Sequence, residues 1–274
     1  MNSKVVVLGA SGMLGSAFVR LWNNNPNVLF VTRTPQVLDS SLNIYRWDYA
    51  YNNISSLPKA DYYINCIGLI KPFINHPIDA IYLNSVFPHE LAFYASDINA
   101  RLIHITTDCV FSGKQQLPYH EFCLSDAEDT YGKTKSLGET DKAMVLRTSI
   151  IGTELHKYAS LMSWYFNYPL DKVMYGYTNH TWNGMTTDEY ARLCEIIITK
   201  DWYSTELFHI FSPEIVTKYE LLTMFENKFK RGLNIVPSEA STPVYRALGT
   251  KKDLNARLGV RPLQDQIIGG LWHG

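Results

Sequence analysis

Tyr131 and Lys135, in the stretch YGKTK, stand four residues apart, a spacing that puts both side chains on one face of a helix. A free tyrosine, with a pKa of about 10, is a poor proton donor or acceptor near neutrality. A neighbouring ammonium is expected to stabilise the phenolate and lower that value. A Tyr–Lys pair can therefore deliver a proton to a carbonyl oxygen. The spacing alone is common and fits an ordinary amphipathic helix equally well. Its force comes from two other stretches. HITTDCVF places Thr107 and Cys109 at the end of an apolar, β-branched run. GASGMLG places Gly9, Gly12 and Gly15, with Ser11, Met13 and Leu14 between them, after the run VVVL and at the start of a helical stretch.

Glycines in that setting permit a tight turn and let the backbone approach a pyrophosphate, while the helix N-terminus offers free N–H groups to phosphate. The reading is a dinucleotide site; the alternative is a glycine-rich strand–helix turn with no ligand. At the end of the next apolar run, VLFVTRTP, Arg33 stands where an acidic side chain would bind a free ribose 2′-OH. A guanidinium there favours a 2′-phosphate, hence NADP(H), although Arg33 could be a solvated loop residue and Asp39 lies nearby. Asp48, in YRWD, either caps an adenine amino group or closes a turn.

The elements that must position these residues alternate along the first half of the chain. Apolar runs at 5–9, 28–32, 62–68, 101–107 and 143–149 read as strands, with helices at about 14–24, 78–97 and 131–142. Continuous apolar strands separated by helices predict an α/β fold, a doubly wound parallel Rossmann sheet covered on both faces. After about residue 150 the rhythm changes to aromatic-rich segments with prolines at 169, 213, 237, 243 and 262. We expect an NADP-binding domain over 1–150 with a return segment at about 183–203, containing a helix near 186–199. Residues 151–182 and 204–274 would form a smaller, discontinuous α/β substrate lobe. The aromatics of 158–182 either face a substrate or fill a core.

Composition narrows the function classes. The chain has 274 residues, 46% hydrophobic and 19% charged, which is globular rather than disordered. A net charge of −1 gives no electrostatic case for nucleic acid or an acidic membrane. No stretch approaches the ~20 apolar residues of a membrane span, and the N-terminal apolar run is too short for a signal peptide. The protein reads as soluble and cytoplasmic. Cys66, Cys109, Cys123 and Cys194 form no CxxC pair, and the histidines form no HExxH pair, so thiols in a reducing compartment and no metal are expected.

Taken together, GASGMLG, HITTDCVFSG, YGKTKSLGE and LRTSIIG resemble an extended short-chain dehydrogenase/reductase, in particular the dTDP-4-dehydrorhamnose reductase group of nucleotide-sugar enzymes. NHTWNGMTTDEYARL resembles that group's return segment. The resemblance implies that Tyr131 is the general acid and that Lys135 holds the nicotinamide ribose and tunes Tyr131. Thr107 would bind the substrate carbonyl, and Asn84 would lie on the helix that supports the site. Cys66 to Gly68 would line the cofactor through backbone. Arg147 and Thr148 would lie near the sugar or its diphosphate, with a structural ion pair as the alternative for Arg147. A nucleotide-sugar partner and a homodimer through helices 78–97 and 131–142 are implied as well, although some rhamnose reductases use a different interface.

Cys109 departs from the STDYVF that the rhamnose reductases typically carry. In GDP-fucose synthases and bifunctional epimerase/reductases a Cys stands at this offset from the active-site Ser or Thr. A thiol can move a proton at the carbon beside a ketone, so epimerisation at C3 or C5 is one reading and a small core residue is the other. Lys172, His180, His156 and Lys157 are candidates for its acid/base partner. The rival to an enzyme is a non-catalytic NADP-binding regulatory subunit, since that of methionine adenosyltransferase resembles the same group. A redox-neutral epimerase or dehydratase is weaker, because Asp108 is followed by Cys109 rather than a second acid.

Overall fold

The computed structural model describes residues 1–155 and 159–272. Its strands and helices, in chain order, are β1 (Val5–Leu8), α1 (Met13–Trp22), β2 (Val28–Thr32), β3 (Ile44–Arg46) and β4 (Tyr62–Asn65). Next come α2 (Pro77–Ala80), a π-helical turn (Ile81–Val86), α3 (Phe87–Asp97), β5 (Arg101–Thr107), α4 (Thr130–Leu137) and β6 (Met144–Thr148). Strands β1 to β6 and one later strand form a seven-stranded sheet with every pairing parallel. The order reverses beside β1, which lies between β2 and β4. That switch opens a crevice at the carboxyl ends of the strands, where open α/β sheets bind ligands.

Both faces of the sheet are buried, which is why the strands read as unbroken apolar runs. Val5 and Val7 pack with Phe18 and Trp22 of α1, whereas Val6 and Leu8 pack with Phe87 and Leu91 of α3. Two helix expectations change. The helix expected over 78–97 is interrupted by its π turn, and the one expected over 131–142 stops at Leu137. Gly138 caps it, and a Cβ there would stand 2.0 Å from the Asn84 carbonyl oxygen.

The remaining elements are β7 (Ile150–Ile151), α5 (Leu161–Phe166), β8 (Met174–Tyr177), β9 (His180–Trp182), β10 (Met185–Thr186), α6 (Thr187–Thr199), β11 (Leu207–His209), β12 (Val216–Thr217), α7 (Lys218–Phe229), β13 (Ile235–Ser238), β14 (Val244–Tyr245), α8 (Leu254–Leu258) and α9 (Leu263–Gly269). Strand β11 completes the large sheet beside β6, and α6 returns to pack on α1. Met162, Tyr165, Phe225, Leu263 and Ile267 build a separate apolar cluster among α5, α7 and α9. Strand β9 pairs with both β12 and β14, and the Tyr245 N–H of β14 donates to the Gly113 carbonyl at 2.8 Å. Among the described residues no helix is long and apolar enough to cross a membrane.

Candidate active site

Thr107 ends β5 and caps a short 3-10 turn, Asp108–Val110. Its Oγ1 accepts from the Cys109 N–H at 3.1 Å and donates to Asp108 Oδ1 at 3.1 Å. Helix α4 starts at the N-cap Asp129, whose Oδ1 accepts from the Gly132 N–H at 2.9 Å. It packs directly on that turn. A Cβ at position 132 would lie 2.2 Å from the Cys109 carbonyl oxygen, so only glycine permits this approach. Tyr131 is thereby brought beside Thr107, whose side chain acts on its phenol. One helical turn on, Lys135 is buried and its Nζ donates to the Ile105 carbonyl of β5 at 2.9 Å.

The expected lowering of Tyr131 by Lys135 is reversed. Burial pushes the phenol up, the neighbouring Cys109, Asp108 and Asp129 add to it, and the Thr107 side chain opposes. Lys135 lies on the same helix face but is aimed at a strand carbonyl, and burial brings it down to about 8 against the opposing pull of Glu139 and Cys66. Tyr131 therefore keeps its proton near neutrality, the form a general acid needs.

Burial, then the neighbouring Asp108, pushes the Cys109 thiol up to about 12, with Arg246 opposing. Arg246 follows β14; its Nε donates to the Phe111 carbonyl at 3.1 Å and a second guanidinium nitrogen lies 3.5 Å from Cys109 Sγ. This residue was missed in the sequence. It is 137 positions from Cys109, and an isolated arginine in an irregular segment carries no signal. Of the partners considered for Cys109, Lys172 is exposed and His180 hydrogen-bonds the Thr242 carbonyl at 3.2 Å. His156 and Lys157, like Tyr158, lie outside the described residues.

Three of the expected site residues have their partners within the fold. Arg147 is buried with its guanidinium on Glu139 and His209, because β6 points it under the turn after α4, so the structural ion pair is the arrangement found. Thr148 pairs in register with Thr107 but is 1% exposed, with its hydroxyl turned to the Ser149 carbonyl. Asn84 is 1% exposed within the π turn. Its Oδ1 accepts from the Leu69 N–H at 2.8 Å, while Nδ2 donates to the Leu69 carbonyl at 2.9 Å and to Thr134 Oγ1 at 3.2 Å. It clamps the loop after β4 to α4. The extra residue of a π turn re-aims side chains in this way at functional sites.

The residues expected to hold a dinucleotide begin at the turn between β1 and α1. A Cβ on Gly15 would stand 2.1 Å from the Gly9 carbonyl oxygen, so α1 meets β1 closely only with glycine there. Gly12 caps α1 with no side chain, and no acidic residue stands in the first turn, which with Met13 and Leu14 leaves an N-terminus suited to phosphate. Ser11, Thr32 and Thr34 join hydroxyls beside exposed Arg33, with Ser11 and Thr32 at 2.8 Å. Gly68 is exposed beside Lys135, and the Cys66 backbone N–H is held by Leu8 O at 3.0 Å. Asp48 takes the turn reading for one oxygen, which accepts from the Ala50 N–H at 3.0 Å.

A parallel sheet with a glycine turn at its switch point and a Thr–Tyr–Lys set across the crevice defines a short-chain dehydrogenase/reductase type of site. Residues 3–248 match the profile of the RmlD substrate binding domain, and the chain belongs to that family. The bovine methionine adenosyltransferase 2 subunit beta is 26% identical over 98% of this chain and 84% of its own length. A dTDP-4-keto-6-deoxy-D-glucose reductase of Streptomyces niveus is 28% identical over 51% of this chain and 47% of its own. Among solved structures, the dTDP-4-dehydrorhamnose reductase of Bacillus anthracis in complex with NADP superposes with a TM-score of 0.76 at 17% identity, covering 98% of both chains. The Clostridium acetobutylicum orthologue gives 0.74 at 19% identity, covering 96% of both.

Proposed function

We propose that the protein reduces the 4-keto group of a nucleoside-diphosphate 4-keto-6-deoxy sugar, UDP- or dTDP-linked, with NADPH. The observation that carries this reading is the meeting of Thr107, Tyr131 and Lys135 at the carboxyl end of the sheet, across from the glycine turn. Bound NADPH would supply the hydride. Gly9, Gly12, Met13 and Leu14 would hold its pyrophosphate, Ser11 and Arg33 its 2′-phosphate, Cys66 and Gly68 its nicotinamide side and Lys135 its ribose. Thr107 would orient the substrate carbonyl, and Tyr131 would give its phenolic proton to the oxygen. Burial supports that role by keeping the phenol protonated. With its thiol pushed up, Cys109 stays protonated near neutrality, so in an epimerisation it could return a proton but not remove one. Exposed Ile78, Tyr82, Phe93 and Leu137 on α2 to α4 support a homodimer through that face, which sedimentation would read as twice the 31.4 kDa chain.

The test is an assay in D₂O with NADPH and UDP- and dTDP-4-keto-6-deoxy sugars, with and without a 2-acetamido group. Loss of reduced-nicotinamide absorbance without ring deuterium supports a simple 4-reductase. Deuterium at C3 or C5 would add epimerisation. A second reading, an NADP-binding regulatory subunit, is favoured by the match to the methionine adenosyltransferase subunit over 98% of the chain. Tyr131→Phe separates the two: an enzyme loses nearly all turnover while still binding NADPH, whereas a regulatory subunit keeps its effect on a partner enzyme.

A further inference from the structure

Behind Lys135 the sheet carries polar groups that the reaction does not use. His104 and Thr106 are two residues apart on β5 and so share one face, with Leu102, against α3. Both are buried, at 0% and 2% exposure. Asn65 Oδ1 accepts from the Ile67 N–H at 3.0 Å, so its Nδ2 must donate to His104 Nδ1, 3.1 Å away. That bond fixes the imidazole tautomer, with the proton on Nε2. His104 Nε2 and Thr106 Oγ1 then have no hydrogen-bond partner among the described residues. An unmet buried polar group is costly, and two on adjacent positions of one strand face call for an occupant. The peptide between them is the one whose carbonyl, Ile105 O, receives Lys135 Nζ, and the lysine charge acts on His104.

We propose that His104 and Thr106 hold one ordered water against the Lys135 ammonium and so keep that lysine charged. Each of the three groups then gains a partner. The water accepts from His104 Nε2–H and from one N–H of Lys135, and it donates to Thr106 Oγ1. A second ammonium N–H goes to Ile105 O, and the third is left for a ligand in the crevice. A buried water with about three such bonds is a common structural element. The other groups acting on Lys135 are Glu139 after α4, itself paired with Arg147 of β6, and Cys66 after β4. Burial, then Lys135 and His89 of α3, pushes the His104 pKa down and holds the ring neutral. His104 and Thr106 are positioning residues: they act through Lys135 and need touch neither cofactor nor sugar. Only the effect on turnover rests on the reductase reading.

The experiment titrates Lys135 in the cofactor-free protein by the pH dependence of its reductive methylation, read by peptide mass, in wild type and in Thr106→Val and Thr106→Ser. Val removes the hydroxyl at nearly constant volume, and Ser restores it. Thr106→Val is expected to lower the Lys135 midpoint by roughly half to one pH unit and to lower the melting temperature, with Thr106→Ser returning both. In the reductase assay the alkaline limb of kcat should move down by the same amount with KM for the sugar little changed. An unmoved Lys135 midpoint, or a Thr106→Val protein as stable as wild type or more so, would mean that the pair is dry and overturn the proposal. A shifted midpoint with no turnover of any sugar would uphold the water site while removing the reductase reading.

Discussion

His209 should make the stability of this protein depend on pH in a way that one substitution removes. The ring lies at the end of β11, 0% exposed, with Nδ1–H donated to the Gly249 carbonyl at 2.8 Å and the Tyr119 carbonyl at 3.1 Å. Nε2 accepts from Arg147 at 2.9 Å. Burial, then the Arg147 charge, brings its pKa from 6.5 to about 4, against smaller opposing effects of Glu121 and the two carbonyls. The unfolded chain therefore binds a proton that the folded one refuses. The stability is whole above about pH 6.5 and is lost progressively as pH falls from there to about 4. At pH 5 the loss is about 1.4 kcal/mol for each of the roughly 1.5 units below the unfolded value, or about 2 kcal/mol. For a chain of this size that corresponds to a fall in melting temperature of about 4–8 °C. Melting scans of wild type and His209→Gln at pH 7.5 and pH 5 isolate it, because the carboxylates contribute equally to both proteins. Gln should be less stable at pH 7.5, but its further drop on going to pH 5 should be smaller by that amount. Equal drops in the two proteins would refute the reasoning.

The Glu139–Arg147 pair is buried on both sides, so Glu139→Leu alone should cost about 3–5 kcal/mol by stranding the guanidinium. Adding Arg147→Met should recover much of it in denaturant titrations, whereas additive losses would mean the pair is not coupled. Gly132→Ala should destabilise by about 1–3 kcal/mol and depress turnover more than NADPH binding, since its Cβ would fall 2.2 Å from the Cys109 oxygen and 2.5 Å from Ala127 Cβ. Cys109, with its thiol pushed up to about 12, should react with iodoacetamide at pH 7.5 at least a hundredfold more slowly than free glutathione. Mass-mapped labelling at a rate near glutathione's would contradict that burial.

Local pattern made much of this protein legible. Apolar-rich runs at β1, β2, β4, β5 and β6 specify strands buried on both faces, so fold class followed from the sequence alone. Glycine spacing after β1 and the four-residue Tyr131–Lys135 spacing fixed where phosphate and proton chemistry could sit, since both depend on neighbours within one turn. What the sequence could not contain is where long side chains end. Lys135 reaches Ile105 O on a strand 30 residues back, and Arg147 turns to Glu139 and His209. Arg246 crosses from beyond β14 to Cys109. The pKa directions of Tyr131 and Cys109 were equally out of reach, because desolvation by the assembled fold outweighs the charge partners that spacing suggests. The chain's own order of residues set the chemistry available, and only packing in three dimensions decided which groups are charged and which of them face the crevice.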